Sequence, residues 1–156
     1  MAHFQLVHGD LLDQPTAVIV NAWNRNIIPW WLLLPQGVSG AIKRRAGMAP
    51  FVELGRMGPI PLGEARITGA GRLPQQAIVH VAGISMWWRS SRASVEAGTR
   101  HALDLVQQRG FASVAMPLIG AGTGGGTADE VQAWMAAQIA AHPYAGQVLL
   151  VRYVKH

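Results

Sequence analysis

Cysteine is absent from the 156 residues of this chain. Disulfides and thiolate chemistry are therefore excluded, and a cytoplasmic location is the expectation. Charged residues are scarce at 13% while half of the residues are apolar, a composition that excludes a disordered tail and predicts a compact body. No apolar run reaches the roughly 18 residues of a membrane span, and the first residues resemble no signal peptide.

Several chemical signatures are also missing. The six histidines form neither H-x-x-x-H nor H-E-x-x-H, so no metal site is expected. No serine lies in G-x-S-x-G, which removes the usual hydrolase elbow. Lysine and arginine exceed the acids by 13 to 8, which favours an anionic ligand, although scattered surface arginines give the same balance. No basic run interleaves with aromatics, so a nucleic-acid partner is not expected.

The order of apolar patterns predicts one α/β domain over residues 1–156, with helix layers around a mostly parallel sheet. Thr127 and Glu130 form a capping-box pattern, and Gly47 and Gly110 are predicted to end helices. The strands are predicted at 3–10, 16–22, 64–70, 76–83, 111–118 and 146–154, and the helices at 39–47, 49–58, 90–110 and 127–142.

Two glycine-bearing segments follow predicted strands. The first, "GAGTGG" (120–125), matches G-x-G-x-x-G, but only one strand follows and no acid stands about 20 residues later, so a dinucleotide fold is rejected. Backbone N–H groups of such a segment bind phosphate well; a flexible connector is the alternative. The second, "GVSG" (37–40), is read as a turn leading into a helix, and two such turns would clamp a diphosphate.

Polar residues stand near other strand ends. Asn21 and Asn24 follow a buried strand, where they either hydrogen-bond a sugar hydroxyl or form a turn. Asp10 either caps a turn or accepts from the amine of a base, and capping is favoured. His80 lies in an apolar strand and is predicted to be a satisfied core histidine rather than a ligand.

These motifs together resemble the macrodomain family. The matching segments, in order, are "GDLL", "AVIVNAWN", "GVSGAIKRRAG", "LGEARITGAGRLP", "AIVHVAG" and "SVAMPLIGAGTGG". The resemblance implies a three-layer α/β/α sandwich with a mixed, mostly parallel sheet. It also implies that the ligand is ADP-ribose or an ADP-ribosylated protein, bound over the strand ends without a cofactor.

The resemblance further implies roles for individual residues. Asp10 would hold the adenine amine beside Leu11, and Tyr153 would stack on the adenine. Gly37, Val38 and Ser39 would form the first phosphate loop. Asn21–Asn24 is the ribose corner, in which Asn24 lies near the distal ribose. The second phosphate loop would comprise Gly120, Ala121, Gly122, Thr123, Gly124 and Gly125.

The chain departs from the family pattern at three places. Pro35 and Gln36 stand where glycines are usual, and Ser39 takes the position of an aspartate proposed to activate water. Lys43 matches no catalytic lysine. Gly124 replaces an aromatic residue beside the distal ribose. The tryptophan-rich segment 25–36 is predicted either to cover the distal end of the cleft or to pack as a satellite core.

The resemblance implies a mono-ADP-ribosyl hydrolase that releases ADP-ribose from an acidic side-chain ester. Asn24 would orient the ribose, and a substrate phosphate would accept the proton of the attacking water. A non-catalytic ADP-ribose reader and an ADP-ribose 1''-phosphate phosphatase are the alternatives. A monomer is the default expectation.

Overall fold

The computed structural model describes residues 3–23, 37–82, 91–119 and 127–153. The strands of these ranges are β1 (His3–Gly9), β2 (Val18–Trp23), β3 (Ala65–Gly69), β4 (Ala77–Ala82), β5 (Ser113–Pro117) and β6 (Gln147–Tyr153). The helices are α1 (Gly37–Ala46), α2 (Ala49–Gly55), α3 (Arg92–Gln108) and α4 (Ala128–Ala141), and Leu11–Asp13 form a 3₁₀ turn. The strands form one sheet in the order β1-β6-β5-β2-β4-β3. Only β3 runs antiparallel to its neighbour in this sheet, so the predicted mixed, mostly parallel sheet is confirmed.

The sheet separates two apolar cores because successive strand residues point to opposite faces. Val18, Val79 and Val114 are buried in the core beneath α3 and α4. Ile19 and Ile78, each one position away, are buried in the core beneath α1 and α2. Helices therefore cover both faces, which confirms the predicted three-layer sandwich.

The helix ends follow the predicted signals. Gly47 and Gly110 have φ values of 84° and 72°, a left-handed conformation that favours glycine just after a helix. Thr127 accepts from the Glu130 N–H, and the Glu130 carboxylate accepts from the Thr127 N–H, so the predicted capping box is confirmed.

Two local predictions are wrong in detail. The interpretation that Asn21 follows its strand is wrong, whereas the strand predicted at 16–22 already included it: β2 continues to Trp23, and Asn21 lies opposite His80 of β4. Residues Gly37–Gly40 are not a turn before a helix but the first turn of α1 itself. In the first case the backbone of Asn21 pairs with β4, and its side-chain amide contacts His80 of that strand.

Candidate functional site

The carboxyl ends of five parallel strands meet at one edge of the sheet, where ligands of α/β folds bind. Asp10 follows β1 at this edge, and Tyr153 is the last residue of β6. The chain also leaves β5 and β2 here, toward segments 120–126 and 24–36. The fold therefore brings most of the predicted site residues to one edge, although they are scattered over the sequence.

Several predicted site residues lie outside the described residues. These are Asn24 and the second phosphate loop, and the same holds for the tryptophan-rich segment 25–36. For Gly37, Val38, Ser39 and Tyr153, the backbone alone is described. The roles of these residues stay predictions.

Asp10 caps the 3₁₀ turn that follows β1. Its Oδ1 accepts a hydrogen bond from the Leu12 N–H at 2.9 Å, and its backbone carbonyl accepts from Gln14 Nε2 at 2.8 Å. The favoured expectation of a cap is confirmed. Leu11, the first residue of this turn, is buried against the core below. Contact of Asp10 and Leu11 with a base stays a prediction.

Asn21 belongs to a buried polar row that crosses three strands. Its Nδ2 lies 3.0 Å from His80 Nδ1, and His80 Nε2 lies 2.8 Å from Thr68 Oγ1. Asn21 and His80 are fully buried and Thr68 is nearly so, and the Phe51 ring packs edge-on against the imidazole. Burial lowers the pKa of His80 to about 3, which keeps the ring neutral. The predicted satisfied core histidine is confirmed, while ligand contact by Asn21 stays a prediction.

Lys43, which matches no catalytic lysine in the sequence, is buried in the structure, and the sequence did not predict that burial. The residue is 5% exposed, and its Nζ lies 5.1 Å from the centre of the Phe51 ring. Burial lowers the pKa of its ammonium group. In the sequence it opens a Lys-Arg-Arg run, which is typical of a solvated helix face, so no signal indicated its burial. Thr68 was missed for a similar reason, since threonine is common in strands.

All eight carboxylates of the chain lie in described residues, and each is engaged within the fold. Three of them accept from backbone N–H groups, namely Asp10, Glu53 and Glu130. The other five form ion pairs or contact histidine: Asp13 with Arg45, Glu64 with Arg66, Glu96 with Arg92, Asp104 with His142 and Asp129 with Arg152. Every side-chain carboxylate therefore has at least one partner within the fold, and the ion pairs of exposed carboxylates such as Asp13 and Asp129 contribute little to stability.

Within residues 3–23, 37–82, 91–119 and 127–153, no three histidine, aspartate or glutamate residues cluster as metal ligands do. None of the helices in this described part combines the length and apolarity that a membrane span requires.

A family model for the Macro domain matches residues 20–135, which is most of the chain. The chain belongs to the macrodomain family. The match includes the end of β2, the whole of α1 to α3 and the first part of α4. In this macrodomain the carboxyl ends of β2, β4 and β5 lie within the match, whereas β1 and β6 lie outside it.

Curated relatives extend the comparison. An uncharacterized protein of Aeropyrum pernix is 34% identical over 146 residues, which cover 92% of this chain and 75% of that protein. A protein of Citrobacter rodentium named O-acetyl-ADP-ribose deacetylase is 35% identical over 133 residues, which cover 80% of this chain and 71% of that protein.

Solved structures agree with the fold. A mutant macrodomain of Oceanobacillus iheyensis with ADPR superimposes with a TM-score of 0.82 at 28% identity. The superposition covers 97% of this macrodomain and 86% of that chain. The Oceanobacillus protein, whose structure contains ADPR, therefore has the same architecture as this macrodomain.

Proposed function

We propose that this macrodomain binds ADP-ribose along the carboxyl edge of the sheet. The observation that carries the proposal is the strand order β1-β6-β5-β2. The predicted adenine residues, Asp10 and Tyr153, follow or end β1 and β6. The predicted phosphate loop 120–125 follows β5, and the ribose corner ends β2. The order of neighbouring strands thus repeats the order of adenine, diphosphate and distal ribose along the ligand.

The spacing of the strands supports the same assignment. Neighbouring strands lie about 4.8 Å apart, so β1 and β2 are separated by about 14 Å across three spacings. An extended dinucleotide-like ligand lying across the strands therefore meets the three groups of residues in turn. Helix α4 connects β5 to the parallel strand β6 and therefore begins at this edge, where the positive end of its dipole favours a diphosphate.

The reaction that we propose is hydrolysis of a carboxylic ester of ADP-ribose. The deacetylase name of the Citrobacter relative supports an acyl ester as the bond that breaks. An ADP-ribosylated glutamate or aspartate side chain carries an ester of the same chemical class. Water attacks the acyl carbon, and the products are a carboxylic acid and ADP-ribose.

The attacking water must lose a proton, and the contacts of the carboxylates bear on which group accepts it. All eight already hold structural contacts, and Ser39 stands where relatives are expected to have an aspartate. We therefore assign proton acceptance to a phosphate oxygen of the substrate. Asn24 orients the distal ribose so that water and phosphate oxygen are aligned, and positioning then supplies much of the rate acceleration.

A non-catalytic reader is the second candidate, and the same engaged carboxylates favour it. A reader needs the adenine, phosphate and ribose contacts but no reacting water. The two candidates share the binding site and differ in turnover alone.

Calorimetry with ADP-ribose is the first test, and the absence of a binding signal would remove both candidates. The second test incubates the protein with O-acetyl-ADP-ribose and, separately, with protein mono-ADP-ribosylated on glutamate. Release of ADP-ribose from either substrate supports the hydrolase and identifies its ester. Binding without release selects the reader. Release of phosphate from ADP-ribose 1''-phosphate instead indicates the phosphatase.

The variant Asn24→Ala tests the role of the ribose corner. We expect kcat to fall about tenfold or more while the affinity for ADP-ribose changes little, because the lost group orients the reacting end. Gln107→Ala, a change at an exposed position near the end of α3, is the control and should retain activity. Equal losses in both variants would contradict the assigned role of Asn24.

A further inference from the structure

A row of three polar side chains lies buried beneath the proposed ribose corner. Thr68 of β3, His80 of β4 and Asn21 of β2 are 3%, 0% and 0% exposed. The chain separates Asn21 from His80 by 59 residues, yet strand register places them directly opposite each other. Buried polar groups are costly unless they are paired, so the contacts in this row constrain one another.

The hydrogen-bond directions follow from the single proton of the Thr68 hydroxyl. Thr68 Oγ1 lies 2.9 Å from the Gly69 carbonyl oxygen, which can only accept. The hydroxyl proton is therefore used there, and Thr68 Oγ1 must accept from His80 Nε2–H at 2.8 Å. A neutral imidazole carries one proton, so His80 Nδ1 is an acceptor. Asn21 Nδ2 then donates to it across 3.0 Å.

These hydrogen-bond directions fix the orientation of the Asn21 side-chain amide. A flipped amide would bring Asn21 Oδ1 against His80 Nδ1, two acceptors facing each other in a dry interior. We infer that Thr68 and His80 are positioning residues that hold the Asn21 amide in one orientation at the start of the ribose corner. The functional part of this inference rests on the proposed function, since it assigns the ribose end of the substrate to Asn21–Asn24.

The protonation state of His80 and the packing around its ring support the arrangement. Burial depresses the pKa of His80 to about 3, so the ring stays neutral at the pH of ordinary assays and carries a single proton. The Phe51 ring lies 5.7 Å from the imidazole, centroid to centroid, at 70° between planes. That packing restricts rotation of the imidazole, which would exchange its two nitrogens.

Nuclear magnetic resonance of histidine-labelled protein tests the proton arrangement without any substrate. The ¹⁵N resonance of an unprotonated ring nitrogen lies far downfield of that of a protonated one. We expect His80 Nδ1 in the unprotonated position, Nε2 in the protonated position, and slowly exchanging amide protons on Asn21. A protonated Nδ1, or a mixture of tautomers, would overturn the inference.

The pair Thr68→Val and Thr68→Ser tests the consequence. Valine keeps the shape but removes the acceptor of His80 Nε2–H, whereas serine keeps the hydroxyl. In the valine variant we expect altered His80 and Asn21 resonances and a kcat for ester hydrolysis reduced about three- to tenfold. The Kd for ADP-ribose should change less, because the adenine and diphosphate are bound elsewhere. Serine should restore both readouts.

The outcomes separate this inference from the proposed function. A wild-type protein that hydrolyses neither ester contradicts the proposed enzyme, while the resonances of Asn21 in the two variants still decide whether Thr68 holds the amide. Valine and serine variants with the same resonances and the same kcat overturn the inference even in an active enzyme. A valine variant too unstable to assay leaves the tautomer in the wild type as the deciding measurement.

Discussion

Acid is expected to destabilise this macrodomain through His80. The unfolded chain binds a proton on this residue near its ordinary pKa of 6.5, but burial lowers the pKa of the folded imidazole to about 3. At a pH between these two pKa values, the unfolded state binds more protons than the folded state. The contribution of His80 to the free energy of unfolding is therefore fully present above the pKa of the unfolded state and is lost as the pH falls toward that of the folded state. The lost free energy of unfolding is about 2 kcal/mol between pH 7 and pH 5, and about 3 kcal/mol by pH 4.

Urea unfolding of the wild type and of His80→Gln at these pH values measures the effect. Glutamine does not titrate, so the variant should lose about 2 kcal/mol less than the wild type between pH 7 and pH 5, whatever its stability at neutral pH. His8→Gln, a change at an exposed position, is the matched control. Equal pH dependence in the wild type and His80→Gln would show that the buried imidazole accepts a proton without unfolding, which refutes the reasoning.

Two further predictions concern packing and capping. Thr127→Ala should lower the free energy of unfolding by about 1 kcal/mol through loss of the α4 cap, whereas Thr127→Ser should retain it; equal urea midpoints for the two would contradict this. Gly98→Ala should cost about 1–3 kcal/mol, because its Cβ would lie 2.5 Å from Val81 Cγ1. Gly69→Ala, whose Cβ would meet Glu53 at an ordinary 3.9 Å, serves as the control in thermal unfolding.

The elements of this fold were predictable because their signals are local. The run "TAVIVNA" is apolar and β-branched, as a strand buried on both faces must be, and it forms the centre of the sheet. Thr127 and Glu130 satisfy each other's backbone groups within one helical turn, so their spacing alone locates the start of α4. Gly47 ends α1 for an equally local reason, its left-handed backbone.

The polar row was not predictable in the same way, because its contacts depend on strand register. The residues near Asn21 in the sequence do not indicate that His80 is its partner, and an asparagine after apolar residues is typical of a turn. Thr68 reaches His80 only because β3 runs antiparallel beside β4. Lys43 is buried because of where α1 packs, a tertiary effect that a Lys-Arg-Arg run conceals.

The engaged carboxylates and the polar row bear on one question, which is how an ester of ADP-ribose would be cleaved without a dedicated base. One oxygen of Asp10 and one oxygen of Glu53 already accept from a backbone N–H, so protonation of either carboxylate would weaken that charge-assisted hydrogen bond. A preorganised amide loses no hydrogen bond in this way, since Asn21 is already held by His80. Under the proposed function, therefore, the fold contributes orientation at the ribose end while the substrate contributes the proton acceptor, and neutral side chains are sufficient for that division.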